Sequence, residues 1–170
     1  MSILRIREYP EEVLKRTAEP ITNVDGKLQA LIENMFETLY AVPGLGLAAP
    51  QIGEPIRLFV YDMGIREGEQ DKRIIINPTI VEQEGEIQEE EGCLSIPDYR
   101  EVVSRAARVM LKGFDRDGKE VELEAKGLEA RLFQHELDHL NGVLMFDHLS
   151  PLKRDLIQRK FKKRLRAEGG

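Results

Sequence analysis

The stretch QHELDHLNG, from Gln134 to Gly142, guides the interpretation of the whole sequence. It holds His135 and His139 four residues apart, a spacing that places both imidazoles on one face of an α-helix, about one turn apart. Two neutral imidazoles so placed can share one divalent metal ion. Glu136 follows roughly 100° further round the helix, where its carboxylate can take a proton from a water beside the metal. The stretch predicts a hydrolytic metal site, with a pair of structural histidines on a charged helix as the alternative.

The residues around this stretch predict that it lies on a buried helix. Apolar side chains recur at spacings of three and four, the pattern of a helix with one buried face. Asn141-Gly142 follows with a typical stop signal. The predicted buried positions are Leu128, Leu132, Phe133, Leu137 and Leu140.

Helices are also predicted near both ends of the chain. A short one follows Tyr9-Pro10, and a longer one runs from about Gly26 to Tyr40 with Asn23 or Asp25 as its N-cap. A final helix begins at Ser150-Pro151 and carries apolar residues along one side. These residues are Leu152, Leu156, Ile157, Phe161 and Leu165.

Segments rich in β-branched and aromatic residues predict strands between these helices. The last two segments are joined by a turn at Asp115–Gly118. The predicted fold class is α+β, with antiparallel strands packed around a central HExxH helix, N-terminal helices and a C-terminal helix. The strand segments are Ile56–Tyr61, Arg73–Val81, Val102–Phe114 and Lys119–Ala125.

Length and composition predict a single catalytic domain over residues 1–170. Hydrophobic residues make up 41% of the chain, and no apolar run approaches the ~20 residues that cross a bilayer. The N-terminus carries charges where an export signal needs apolar residues. One cysteine cannot form an internal disulfide and suits a reducing compartment, so we expect a cytoplasmic protein with no membrane partner.

Charge is distributed unevenly along the chain. The net charge is −6, yet residues 151–170, the predicted C-terminal helix, contain eight Lys or Arg against two acidic residues. The rest of the chain therefore has a net charge of −12. A basic segment on an acidic body is typical of a contact with an anionic partner.

A catalytic metal of this kind needs a third protein ligand. A third histidine on the helix would be expected at position 145, which is Met145, while His148 is out of register and Glu168 lies in the tail. Cys93, in the segment Glu91–Pro97, is the strongest remaining candidate. A lone cysteine is more often an inert buried residue, so that alternative stays open at this point.

The segment GLGLAAPQIG, from Gly44 to Gly53, has a thinly covered backbone that a peptide or another strand could approach closely. Gln51 is its only side chain that forms strong hydrogen bonds. The segment is not a phosphate-binding loop, because it lacks the lysine and follows a helix. A plain connection into the next strand explains it equally well.

Three motifs together resemble the peptide deformylase family, the enzymes that remove the formyl group from new bacterial polypeptides. They are GLGLAAPQ from Gly44, EGCLS from Glu91 and QHELDHLNG from Gln134, in the order expected for the family. The resemblance covers nearly the whole chain, including the final helix, and is to the compact bacterial class.

The resemblance implies a catalytic role for particular residues. Cys93, His135 and His139 would hold one divalent metal, commonly Fe²⁺ in the family, with Zn²⁺, Ni²⁺ or Co²⁺ tolerated. Glu136 would be the acid–base. The oxyanion would be stabilised by Gln51 and the backbone N–H of Leu94.

The resemblance also implies how the substrate, an N-formyl-methionyl nascent peptide, would bind. Its backbone would add as a strand beside Leu45 and Gly46. Its methionine side chain would enter a pocket lined by Leu45, Leu128 and Leu132. The basic C-terminal helix would face the ribosome, whereas Arg131, near the pocket, receives no role.

Two other functions fit the same residues. A metallopeptidase with Cys-His-His ligation would cleave internal or acetylated peptides. A zinc-stabilised binding module would have a closed fourth coordination position and would unfold without metal.

Overall fold

In the part of the chain that the structure describes, two antiparallel sheets and three α-helices form the fold, which confirms the predicted α+β class. This part comprises the backbone of residues 2–169 and the side chains of residues 2–163 in the computed structural model. The helices are α1 (Gly26–Tyr40), α2 (Gly127–Leu140) and α3 (Pro151–Gly169), and the strands are β1 (Gly46–Ala48), β2 (Leu58–Tyr61), β3 (Arg73–Glu84), β4 (Ile87–Cys93), β5 (Ile96–Arg105), β6 (Arg108–Phe114) and β7 (Glu120–Lys126).

The larger sheet has the order β1-β2-β3-β6-β7, and every neighbouring pair is antiparallel. β1 and β7 are therefore its edges. β4 and β5 form a separate hairpin whose turn is Leu94-Ser95. This hairpin carries Cys93, at the end of β4, to within 3.3 Å of His139 on α2.

The two faces of β2 pack against different helices, because successive side chains of a strand point to opposite faces. Phe59 faces α2, where its ring centroid lies 5.9 Å from that of Phe133. Leu58 and Val60 pack instead in the cluster that contains Ile32 of α1. Burial of an aromatic side chain such as Phe133 stabilises the fold by about 1.5–3 kcal/mol, so the sheet holds α2 firmly in place.

The N-terminal helices are present, but the first is shorter than an α-helix. α1 has the predicted bounds, and Asp25 is its N-cap, since its carboxylate accepts a hydrogen bond from the Leu28 N–H at 2.9 Å. The helix predicted after Tyr9-Pro10 is a 3₁₀ turn at Glu12–Lys15.

The prediction of one strand from Val102 to Phe114 is wrong. The chain breaks at Ala106-Ala107, and β5 and β6 on either side belong to different sheets. Gln134 of α2 holds the break, because its side chain accepts from the Ala106 N–H (2.8 Å) and donates to the Ala106 carbonyl (2.9 Å). The other three predicted strands are present with shifted ends.

The apolar side of α3 is only partly covered. Ile157 and Phe161 pack against the cluster that contains Phe146, whereas Leu152 and Leu156 are 72% and 57% exposed. The predicted Leu165 lies outside the described side chains. None of the described helices has both the length and the apolar character that crossing a membrane requires.

Candidate metal centre

Three side chains capable of binding a metal meet between α2 and the β4–β5 turn. They are Cys93, His135 and His139, and their ligand atoms all lie within 4.8 Å of one another. The Cys93 Sγ is 3.3 Å from the Nε2 of His139. Within the described residues, no other group of three or more His, Cys, Asp or Glu side chains has this arrangement.

The chemistry of this cluster fits one divalent metal. Ligand bonds of about 2.0–2.3 Å in a tetrahedral site place two ligand atoms roughly 3.3–3.8 Å apart, and the 3.3 Å between the Cys93 Sγ and the His139 Nε2 fits this. Burial by itself raises the pKa of the Cys93 thiol, but the charge of His139 and a hydrogen bond from His135 outweigh it and hold that pKa well below its ordinary value. A thiolate is the form of cysteine that binds metals. Three protein ligands leave a position for water or substrate, as in catalytic sites.

The ring of His135 is oriented by a buried carboxylate. The Nδ1 of His135 lies 3.1 Å from the Oε1 of Glu91, which leaves the Nε2 to face the cluster. Arg105 donates two hydrogen bonds to Glu91, both of 3.0 Å, and Arg131 donates a third of 3.0 Å. Burial raises the pKa of Glu91, yet the hydrogen bonds from His135 and Arg105 lower it to about 2. Glu91 is therefore a charged, fully engaged partner for His135.

Glu136 is buried beside the cluster and has an unused acceptor. Its side chain is 4% exposed, and its Oε2 finds no hydrogen-bond partner within the described residues. Burial raises the pKa of this carboxyl group. A buried, unsatisfied carboxylate oxygen is costly unless it receives a partner, such as a water or a substrate group.

Close packing of β1 against α2 positions this carboxylate. A side-chain carbon at Gly46 would lie 3.3 Å from both the Oε1 of Glu136 and the Cδ1 of Leu132. That distance is shorter than ordinary van der Waals contact. Any residue larger than glycine at position 46 would therefore push against the side chains of Glu136 and Leu132.

Gln51 places an amide N–H beside the thiolate. Its Oε1 accepts from the Ala48 N–H at 2.9 Å, which fixes the orientation of the side chain. Its Nε2 then lies 3.2 Å from the Ser95 Oγ and 3.9 Å from the Cys93 Sγ. Because Gln51 is 2% exposed, this donor acts in a site largely shielded from water.

A cavity of about 750 Å³ opens beside the cluster. Leu132 forms a buried part of its floor, and Leu128 is half-exposed at its margin. β1, which pairs with β2 alone among the described strands, presents its other edge for an added strand. The predicted substrate and oxyanion residues that line the cavity are Leu45, Gly46, Gln51, Leu94, Leu128 and Leu132.

Sequence reasoning missed the polar residues that hold His135 in place. Glu91 stands two residues before Cys93 in the same motif, a position that could have signalled its role. Arg105 gives no local signal, because its contacts with Glu91 and with Asp138 (2.6 Å) depend on the pairing of β4 with β5 and on the position of α2.

Comparisons with known proteins agree over nearly the whole chain. The model of the polypeptide deformylase family matches residues 3–155. A peptide deformylase of Thermodesulfovibrio yellowstonii is 54% identical over 162 residues, which cover 95% of this chain and 98% of that protein. The crystal structure of a peptide deformylase from Legionella pneumophila has a TM-score of 0.89 at 45% identity and 98% coverage of both chains. A peptide deformylase from Ehrlichia chaffeensis, crystallised in complex with actinonin, has a TM-score of 0.88 at 38% identity, covering 96% of this chain and 98% of that one.

Proposed function

This chain belongs to the polypeptide deformylase family, and we propose that Cys93, His135 and His139 hold the metal with which it removes the N-terminal formyl group from new polypeptides. The observation that carries this proposal is the convergence of the three ligands beside a buried carboxylate oxygen that has no partner among the described residues. A divalent metal bound there would polarise the formyl oxygen and make water more acidic.

Glu136 moves the protons of this reaction. Its carboxylate takes a proton from the attacking water and returns it to the amine nitrogen as the bond to the formyl carbon breaks, so that formate and the free N-terminus are released. The elevated pKa that burial gives Glu136 supports this role, because a more basic carboxylate accepts a proton more readily.

Two donors stabilise the formyl oxygen as it becomes negatively charged. The first is the Nε2 of Gln51, which lies beside Cys93, and the second is the backbone N–H of Leu94, the next residue in the chain. The peptide backbone pairs with the edge of β1 at Gly46. Its methionine side chain enters the cavity, whose apolar lining is supplied by Leu45, Leu128 and Leu132.

Release of formate from formyl-Met-Ala-Ser by protein purified without air tests the function. We expect turnover with this peptide and none with acetyl-Met-Ala-Ser, because a site closed around a formyl group excludes a larger acyl group. Cleavage of internal peptide bonds at a comparable rate would favour a metallopeptidase. Unfolding on metal removal, with no formate release from the metal-loaded protein, would favour a binding module.

We propose Fe²⁺ as the native ion, with Zn²⁺, Ni²⁺ and Co²⁺ as substitutes. One thiolate and two imidazoles suit all four ions, so the family resemblance is what favours iron. Metal analysis of protein purified without air should show iron at one per chain. In air the iron form should lose activity faster than a zinc-loaded sample, and equal decay would count against iron.

We infer that the reaction takes place in the cytoplasm. A lone cysteine suits that reducing compartment, and formylated chains are new products of the ribosome. The basic helix α3 would then face ribosomal RNA. Truncation after Ser150 should weaken co-sedimentation with ribosomes at low salt. Added salt should weaken the co-sedimentation of the full chain in the same way. Unchanged co-sedimentation of the truncated chain would exclude this contact.

A further inference from the structure

Arg131 is a buried cation on the side of α2 that lines the cavity. It is 4% exposed and lies three residues after Leu128 and directly before Leu132, two leucines that line the cavity. A guanidinium buried beside apolar side chains is costly unless its donors are engaged. The hydrogen bonds of the Arg131 guanidinium therefore show which part of the fold this side chain holds in place.

All the described polar contacts of Arg131 go to one short segment, Glu89–Glu91 of β4. Its NH2 group donates to the Glu89 carbonyl at 3.2 Å and to the Glu91 Oε2 at 3.0 Å, and it approaches the Glu90 carbonyl at 3.5 Å. Its NH1 group lies 3.5 Å from the Oε2 of Glu89, a side chain that is 65% exposed, but makes no hydrogen bond within the described residues. One side chain thus ties α2 to three consecutive residues of a strand.

This strand has no ladder to the rest of the fold. Among the described strands, β4 pairs with β5 alone, and the β4–β5 hairpin does not join the larger sheet. Glu89, Glu90 and Glu91 form one wall of the cavity, which Leu45 and Gly46 also line. The separation between this wall and the α2 floor therefore depends on side-chain contacts.

Arg105 cannot perform the same task. It lies on β5 and binds Glu91 and Asp138, but no described contact joins it to Glu89 or Glu90. It holds the carboxylate that orients His135. Arg131 also binds that carboxylate, and through the Glu89 carbonyl it holds the part of the wall that lies further from the cluster.

We propose that Arg131 is a positioning residue that sets the width of the side-chain pocket and so determines which formylated N-terminal residues are accepted. This inference rests on the proposed function of the site. Arg131 fastens the β4 wall at the width that fits an unbranched side chain such as methionine. A wall released from α2 admits broader side chains and holds methionine less well.

The test compares kcat/KM for formyl-Met-Ala-Ser and formyl-Phe-Ala-Ser in the metal-loaded protein. Arg131→Met keeps most of the volume of the stem and removes the guanidinium. We expect the preference for methionine to fall by about tenfold, mainly through KM, since misfit in a pocket of this type is worth roughly 10–200-fold. Metal content should stay at the wild-type value. Arg131→Lys should restore only part of the preference, because an ammonium cannot reach the carbonyl and the carboxylate with a planar fork.

Arg108→Met is the matched control. Arg108 pairs with Glu124 on the larger sheet and does not line the cavity, so its loss should leave the preference unchanged. Glu89→Gln weakens the contact between Arg131 and β4 at an exposed position, where a substitution carries little risk to folding. It should reduce the preference for methionine about two- to threefold, as expected for loss of an exposed pair.

An unchanged methionine preference in folded Arg131→Met overturns the proposal. If that variant does not fold or loses metal, unchanged preferences in both Arg131→Lys and Glu89→Gln overturn it. Failure of the wild-type protein to release formate from either peptide would instead overturn the proposed function.

Discussion

The helices α2 and α3 were predicted from the same kind of periodic pattern, yet they lie in very different surroundings. Seven side chains of α2 are buried, among them Glu136 and His139. No side chain of α3 up to residue 163 is buried, although this helix also carries apolar residues along one side. Periodicity shows which face of a helix can be buried, but the rest of the fold decides how much of it is.

The difference follows from what surrounds each helix. α2 has the larger sheet on one side and the β4–β5 hairpin on the other, so that even its polar side chains are enclosed. α3 rests on one small cluster, where the ring of Phe161 lies 5.8 Å from those of both Tyr99 and Phe146. We therefore expect substitutions on α2 and its partners to affect catalysis, and those on α3 to affect stability slightly.

The largest effect is expected for Cys93→Ala, at the junction of the hairpin with α2. Loss of a ligand should reduce bound metal sharply and bring formate release to background, a larger effect than the roughly 10–100-fold that loss of a ligand's supporting partner costs. The fold should persist, because the apolar contacts of α2 do not involve the thiolate. Metal stoichiometry and circular dichroism on one sample check this, and a tightly held metal with normal turnover would exclude Cys93 as a ligand.

The next effect is expected for Glu136→Gln, which keeps the shape of the side chain but cannot accept a proton. The rate of formate release should fall by about 10²–10⁴-fold, as is typical when a positioned acid–base is removed. Metal content and peptide binding should stay close to those of the wild type, because Glu136 lies beside the ligand set. A variant that loses its metal would make Glu136 a ligand or a structural support, and one with full activity would require another base.

The sequence was sufficient to predict that Cys93, His135 and His139 come together and insufficient to predict which residues hold them in place. His135 and His139 share a helix, so their proximity follows from spacing alone, and Cys93 was reached by elimination and by its motif. The contacts of Arg105 join β5 to β4 and to α2, and no local pattern specifies such a meeting.

The break between β5 and β6 was missed for a related reason. It has no glycine, proline or turn residue, and its backbone groups are paired by Gln134, which is 28 residues further along the chain. The pattern of apolar residues on α3 contains no information about the surface available to cover Leu152 and Leu156.

A smaller effect, on stability, is expected when the ion pair that joins α3 to the β4–β5 hairpin is removed. The Lys153 Nζ lies 2.9 Å from the Oε2 of Glu101, and this hydrogen bond is the main cause that lowers the pKa of Glu101 from its ordinary 4.5. Glu101→Gln should reduce the free energy of unfolding by less than about 1 kcal/mol near neutral pH, because Lys153 is largely exposed.

The pH dependence of this effect has a definite sign. A carboxyl group whose pKa is lowered in the folded state contributes stability above its unfolded pKa and loses it as the pH falls through the lowered value. Urea unfolding curves for the wild type and Glu101→Gln should therefore differ near neutral pH and converge in acid. A difference that persists in acid would show that packing, and not the ion pair, accounts for it.

The smallest effect is expected for Leu156→Gln on the outer side of α3. Leu156 is 57% exposed, so the substitution removes little buried apolar surface and should change the free energy of unfolding by no more than about 0.5 kcal/mol. Ile157→Gln, one residue further on, is the matched control, because Ile157 packs against the cluster that holds the helix to the body. It should destabilise the protein clearly more than Leu156→Gln, while formate release by the folded fraction stays at the wild-type rate in both. If the two variants lose equal stability, the outer side of α3 is covered in solution and the contrast with α2 is smaller than these contacts indicate.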